Sequence, residues 1–484
     1  MDFLHELIDS INGFIWTYII VWALIGLGVF FTLKSSFVQL KMLPEMFKLI
    51  KQGTGSKTEG KEISGFQAFC VSTASRVGVG NIAGVAIAIV SGGPGSVFWM
   101  WLIAFIGAAT GFVESTLAQI YKLPRGNGLF HGGPAYYIKN ALHMPFLAKW
   151  FAILISITFG LIYNSVQANT IVLSIDNAFG ISNTISTPIL AVLTALVIFG
   201  GIHRIAKVTE LLVPIMAGIY LLAAVVIIFL NLDKLPGVLY SIFHDAFSPQ
   251  AAVGGGFAVV FMTGVRRGLF SNEAGEGSVP NAAATATGKH PVRQGLIQSF
   301  GVYVDTMFVC SATAFSILLT GQYTIGGDVT GIALAQQSLA YAFGSMAPGF
   351  LAVVVFLFAF SSIVGNYYYG EVNIAFFEGD ESGNLPSVIA KNAMLIFRCL
   401  VIFMVIFGSF AKLSFVWDAA DLFMGLLCLT NLYAIGRLGK YAFIALNDYV
   451  KQKSAGIKEP VFDAKILPSQ VGIHAWQTDG QIKD

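Results

Sequence analysis

Apolar runs of about 20 residues, the length needed to cross the hydrocarbon of a bilayer, recur in this chain from residue 14 to residue 436. They fall near residues 14–33, 66–90, 98–121, 148–175, 186–202 and 205–231, and again near 254–285, 294–320, 347–372, 386–408 and 414–436. With turn-forming breaks between them, these eleven segments describe an all-α polytopic membrane protein: one membrane domain followed by a short polar tail. The charge content agrees, since only 11% of residues are charged against roughly a quarter in a soluble domain. The first run follows Asp2, Glu6 and Asp9, where a signal peptide would carry basic residues, so it is expected to remain as a helix.

A net charge of +2 gives no electrostatic footprint for nucleic acid, and no basic block alternates with aromatic residues as a binding groove would require. Cys70, Cys310, Cys399 and Cys428 lie far apart inside apolar segments. They read as small buried hydrophobes, not as a disulfide framework or a CxxC metal site.

Lysine and arginine collect in cytoplasmic loops because they resist translocation. Alternate loops differ sharply here. One set holds Lys34, Lys41, Lys48, Lys51, Lys57 and Lys61, then Lys122, Arg125, Lys139 and Lys149, then Arg204, Lys207, Lys289, Arg293, Lys391 and the basic tail from Arg437; the other holds only Lys234 and Lys412. The expectation is an N-terminus outside and a C-terminus in the cytoplasm.

Setting aside the helix within residues 1–33, ten spans remain as two sets of five, residues 66–231 and 254–436, with a cytoplasmic tail at 437–484. Five is odd, so the second set crosses in the opposite sense to the first, as an inverted repeat. The leading helix of each set is interrupted by glycine: Ser75-Arg76-Val77-Gly78-Val79-Gly80-Asn81 in one, and Thr263-Gly264-Val265-Arg266-Arg267-Gly268 running into Ser271-Asn272-Glu273-Ala274-Gly275-Glu276-Gly277-Ser278 in the other. Corresponding breaks in two halves point to a transporter's binding site.

Unwound helix survives in a membrane only where protein, ions or a water-filled cavity satisfies its backbone. An amino-acid zwitterion suits such a place: half-helix N–H groups attract a carboxylate, while freed carbonyls attract an ammonium or a hard cation. Gly78 and Gly80 allow close approach of the backbone, and Asn81 offers both an amide oxygen and an amide nitrogen. Asn164 and Gln167 share one face of the fourth span. Ser361 and Ser362 in the ninth span are adjacent hydroxyls that could complete an all-oxygen sodium site; their ordinary use is to bond back to their own helix. Glu114, Glu273, Glu276, Asp305, Arg76, Arg266 and Arg267 are charges in or beside spans, where they are expensive and by default functional. Arg76, Glu114, Arg267 and Glu273 are expected in gate or structural ion pairs. Amphipathic stretches at 235–247 and 330–343 are candidate short helices over the outer vestibule.

The run Ala74-Ser75-Arg76-Val77-Gly78-Val79-Gly80-Asn81-Ile82-Ala83-Gly84-Val85-Ala86, with Gly92-Gly93-Pro94-Gly95, Phe98-Trp99-Met100-Trp101, Gly132-Gly133-Pro134-Ala135-Tyr136-Tyr137, Gln167-Ala168-Asn169 and Phe270 to Ser278, closely resembles the alanine or glycine:cation symporters over roughly residues 10–445. The resemblance implies a leucine-transporter-like fold of five plus five inverted helices behind one extra N-terminal helix. It implies a sodium-coupled, sometimes proton-coupled, importer of alanine or glycine in a bacterial or archaeal plasma membrane, and some members prefer glutamine. Carried over by position, Gly78, Val79, Gly80, Asn81, Gln167, Phe261, Met262, Thr263 and Gly264 would line the substrate site. By analogy with the wider fold, carbonyls of Ala74 and Val77 with Ser361 and Ser362 would hold sodium. The expected partners are a small amino acid, sodium as coupling ion and the bilayer; no cofactor is expected, and the sequence leaves the oligomeric state open, a monomer being plausible. A channel would need a continuous polar path. An enzyme would need a motif such as HExxH or GxSxG, which the sequence lacks.

Overall fold

Each apolar run becomes helix, because only a helix satisfies all of its backbone within one segment in lipid. The computed structural model describes residues 2–53, 62–126, 129–248, 256–378 and 387–476; Lys57 and Lys61, counted among the loop cations, lie outside them. Among the described residues, eight helices are long and apolar enough to cross a membrane, and a bent pair supplies a ninth crossing. Besides two short helices after α1, Val38–Lys41 and Leu43–Gly53, the helices in chain order are α1 (Glu6–Lys34), α2 (Gly65–Arg76), α3 (Ala83–Gly92), α4 (Gly95–Ile120), α5 (Pro134–Asn140), α6 (Pro145–Phe179), α7 (Asn183–Ile198), α8 (Gly201–Leu230), α9 (Leu235–Asp245), α10 (Gly256–Asn272), α11 (Val279–Ala283), α12 (Pro291–Thr320), α13 (Gly331–Phe343), α14 (Ala347–Glu378), α15 (Ser387–Phe410) and α16 (Leu413–Ser454). A two-stranded antiparallel hairpin, Leu123–Gly126 with Leu129–His131, links α4 to α5. The amphipathic stretches after α8 and before α14 are the short helices α9 and α13.

The first break is sharp: α2 and the helical segment from Val79 to Gly92 meet at 58°. α2 begins with a capping box, in which the Gln67 backbone N–H donates to Ser64 Oγ and the Ser64 N–H donates to Gln67 Oε1, both at 3.1 Å. This satisfies two donors that a helix start leaves orphaned.

Two sequence expectations shift. Of the stretch expected to interrupt the second leading helix, the Ser271 to Ser278 part holds the break and the Thr263 to Gly268 part does not, since α10 runs unbroken to Asn272. A Cβ on Gly264 would lie 2.6 Å from the Ser96 carbonyl, and one on Gly268 2.6 Å from Ile103 Cγ2, so these glycines let α10 lie flush on α4. The chain turns instead at Glu273, Gly275 and Gly277, all with positive φ. The last helix also does not stop at 436. Leu438, Ala442, Ala445, Leu446 and Tyr449 continue its buried face at helical spacing, with Arg437, Lys440 and Lys451 on the other side.

His290 caps α12. Its Nδ1 accepts the Val292 N–H at 3.2 Å, which assigns the ring proton to Nε2, 3.3 Å from Asp448 Oδ2 on α16. Burial holds the imidazole below its usual value, Arg293 adding to the effect and Asp448 opposing it; the His290 bond in turn holds Asp448 low. The rings of Tyr449 and Phe462 close the site. A depressed folded-state value means that the neutral ring's contribution is complete above the free histidine range and is lost as pH falls through it. The melting temperature of the purified protein should therefore drop by a few degrees from pH 7 to pH 5. His290→Asn, which keeps a capping side chain, should flatten that slope; an unchanged slope would remove His290 as its source.

Candidate functional site

Local geometry at the first break frees the oxygens that the chemistry needs. Gly78 N bonds Arg76 O at 3.0 Å and Asn81 Oδ1 at 2.9 Å, so it does not return to Ala74 O as helix continuation would require. Ser362 Oγ on α14 lies 2.9 Å from the released Ala74 carbonyl and 3.5 Å from that of Val77, and also bonds Phe358 O at 3.0 Å. Ser361 Oγ lies 3.5 Å from Ala74 O and 2.8 Å from Phe358 O. The structure thus gathers two carbonyls and two hydroxyls, from Ala74, Val77, Ser361 and Ser362, into one buried oxygen cluster, a donor set that suits a hard cation, with Met216 Sδ at its edge 3.5 Å from Ser361 Oγ.

The same break holds the other predicted residues. Val79 N donates to Gln167 Oε1 on α6 at 3.0 Å. Asn81 Nδ2 donates to Asp305 Oδ1 at 2.6 Å and to the Asp305 carbonyl at 3.2 Å. A Cβ on Gly78 would stand 2.3 Å from Ser362 Oγ and 3.0 Å from Gln167 Oε1, so any side chain there collides with both groups. Gly78, Val79, Gly80, Asn81 and Gln167 are therefore brought together beside the oxygen cluster. The expectation of free half-helix N–H groups is modified at two positions, because Asn81 and Gln167 oxygens already cap Gly78 and Val79.

Phe261, Met262, Thr263 and Gly264 are not at this break. They lie on the part of α10 that packs against α4, where the Phe261 ring sits 4.7 Å from Trp99. The part of α10 that does reach it is further along: a Cβ on Gly80 would be 2.9 Å from Phe270 Cδ1 and 3.4 Å from Ser271 Cα. Phe270 is flanked by Tyr163 and Trp417, each at 4.7 Å between ring centres. Ser271 Oγ and Thr306 Oγ1 donate to Asp305 Oδ2 at 2.6 and 2.8 Å, so Asp305 joins both interrupted helices. Phe270 and Ser271 stood inside a quoted motif and Asp305 among the intramembrane charges, but no local pattern marks Trp417.

Of the four residues expected in ion pairs, Arg267 has a carboxylate partner among the described residues, Asp421 on α16, which Arg266 also approaches at 3.9 Å. Arg267 and Trp417 also line a cavity of about 380 Å³ with Ser91, Thr330 and Asp418. Glu114 instead accepts from the Gly275 N–H at 3.3 Å and Asn431 Nδ2 at 2.8 Å. Glu273 accepts from Ser75 at 2.7 Å and Ser278 at 2.6 Å. Arg76 donates to the Gln298 carbonyl at 3.1 Å. The direct hydrogen bonds of these three are thus to neutral donors and a carbonyl.

The sodium:alanine symporter family model matches residues 1–464. The probable sodium/glutamine symporter GlnT of Bacillus subtilis (strain 168) is 48% identical over 98% of this chain and 96% of its own. The amino-acid carrier protein AlsT of the same organism is 47% identical over 99% of each. Among solved structures, MhsT in complex with L-phenylalanine superposes with a TM-score of 0.54 at 13% identity, over 83% of this chain and 99% of that one; at that identity the likeness is one of fold, the leucine-transporter type expected. With a family match over nearly its whole length and a buried oxygen cluster at a broken helix, this membrane protein belongs to the sodium:alanine symporter family.

Proposed function

We propose that the chain imports a small neutral amino acid, alanine or glycine, together with sodium across the plasma membrane by alternating access. The observation that carries this reading is the oxygen cluster of Ala74, Val77, Ser361 and Ser362 directly beside Gly78 to Asn81, because it lets one broken helix serve ion and zwitterion together. Sodium takes the two freed carbonyls and two hydroxyls. The substrate carboxylate displaces Gln167 Oε1 from the Val79 N–H, a position at which that amide oxygen stands in for a carboxylate oxygen. The Phe270 ring and its aromatic neighbours then bound the space for the side chain.

In this reading, which the distribution of loop cations supports, the C-terminal tail is cytoplasmic and the N-terminus outside, and the two interrupted helices belong to inverted halves that rock about the midplane. The drive is the ion gradient plus about 2.3 kcal/mol per charge per 100 mV of membrane potential. A glutamine-preferring carrier is the second reading, favoured by the name of the relative that is 48% identical; sodium or proton coupling is the matching question for the ion.

Reconstitution into liposomes tests the proposal. Radiolabelled alanine should accumulate above the outside concentration under an inward sodium gradient and fail to do so when potassium replaces sodium. Unlabelled glycine should compete more strongly than glutamine. Uptake that merely equilibrates, or that ignores both sodium and proton gradients, would overturn the symport reading; stronger competition by glutamine would overturn the substrate.

A further inference from the structure

Beyond α16 the chain folds back on the helix ends. It turns at Gly456, with φ +85°, and is clamped by a reciprocal pair, Gln452 Nε2 to the Val461 carbonyl at 2.8 Å and the Val461 N–H to Gln452 Oε1 at 2.9 Å. The next residue, Phe462, is fully buried. Its N–H donates to the Lys289 carbonyl at 2.9 Å, and its ring lies between His290 at 5.3 Å and Trp476 at 5.2 Å.

Trp476 is the second anchor. Its indole N–H donates to the Gln119 carbonyl at the end of α4 at 2.9 Å, and its ring faces Lys122 Nζ at 5.2 Å. Lys122 is itself buried, donating to the Ala286 carbonyl at 2.8 Å with its ammonium 4.0 Å from the Phe130 ring. Between the anchors the backbone runs so close to α5 that a Cβ on Gly472 would fall 2.4 Å from the Asn140 carbonyl. Thr287, in the same link as Ala286 and Lys289, donates its N–H to the Ile63 carbonyl just before α2 at 3.0 Å. One strap of chain thus touches the end of α4, the α11–α12 link that also holds the approach to α2, the end of α5, and α16.

On the alternating-access reading, a carrier that releases substrate on the tail-bearing face must let helix ends on that face separate, and the strap ties these four together. Residues 465–476 extend past the family match, yet Leu467, Ala475 and Trp476 are buried, which a mere solvated tail would not be. We propose that residues 457–476 form an autoinhibitory latch that holds this face closed when docked and must release Phe462 and Trp476 for the inward-facing step; this rests on the alternating-access reading above.

Lys289 and Glu459 form an exposed 2.7 Å contact between the α11–α12 link and the strap, away from the buried anchors Phe462 and Trp476 and suited to a reversible bridge. In the full-length Lys289→Cys/Glu459→Cys protein, bridged by a bis-methanethiosulfonate linker, sodium-driven uptake should fall at least about fivefold and recover on reduction. Lys289→Cys alone under the same reagent controls for Cys399, which is exposed and not buried like Cys70, Cys310 and Cys428. Phe462→Ala/Trp476→Ala should instead raise the initial rate per folded molecule by a similar factor. Equal rates in the bridged and reduced protein would overturn the latch and leave the strap a static anchor. Absence of gradient-driven uptake by the unmodified protein would overturn the transport reading instead, so the two failures are told apart.

Discussion

Asn81→Ala lowers sodium-driven uptake by about a hundredfold at unchanged protein level in the membrane, and Gln167→Ala lowers it less. The asymmetry follows from what each amide holds. Asn81 caps Gly78 N through its oxygen and reaches Asp305 through its nitrogen, so truncation leaves a buried carboxylate oxygen without that donor and the Gly78 N–H with only the Arg76 carbonyl. An orphaned buried group costs about 1–3 kcal/mol, more when it is charged, and 1.4 kcal/mol is a factor of ten. Gln167 holds one donor, Val79 N, and gives it up to substrate in the proposed cycle. Uptake by Asn81→Ala within threefold of the unmodified protein, counted per molecule in the bilayer, would remove the first break from the binding site.

Ser362→Ala should raise the sodium concentration for half-maximal uptake by about 10- to 100-fold, as loss of one close oxygen partner of a charge, about 1.5–3 kcal/mol, requires. Ser361→Ala should shift it less, because Ser361 Oγ stands 3.5 Å from Ala74 O and lies nearer its own helix carbonyl at 2.8 Å. Uptake measured against external sodium at saturating amino acid separates ion affinity from turnover. Equal curves for both serine variants and the unmodified protein would place the ion elsewhere.

The helical membrane fold was legible because long apolar runs leave a chain no other way to satisfy its backbone in lipid. The first break was legible because Gly78 and Gly80 come just before a residue, Asn81, whose side chain can substitute for helix hydrogen bonds. The second was placed only in part, its Ser271 to Ser278 portion and not its Thr263 to Gly268 portion, for a physical reason. Gly264 and Gly268 look the same in sequence as Gly275 and Gly277, yet the first pair admits a neighbouring helix while the second supports positive φ. Partners were the least legible: Glu114 and Glu273 are visible as charges, but Asn431 and Ser75, which bond them, come from distant helices with no pattern to announce them. The same holds for Asp421 opposite Arg267.

A carrier that turned over with only its ion aboard would drain the cell's electrochemical store and return nothing. Asp305 bears on that waste, because one carboxyl is bonded to Asn81 at the first interruption and to Ser271 beside the second. The two interrupted helices share a single rivet, so a shift at one is felt at the other. On the proposed cycle this joint makes half-loaded slippage rare, and loosening it with Asp305→Asn should show itself first as sodium leaking without amino acid.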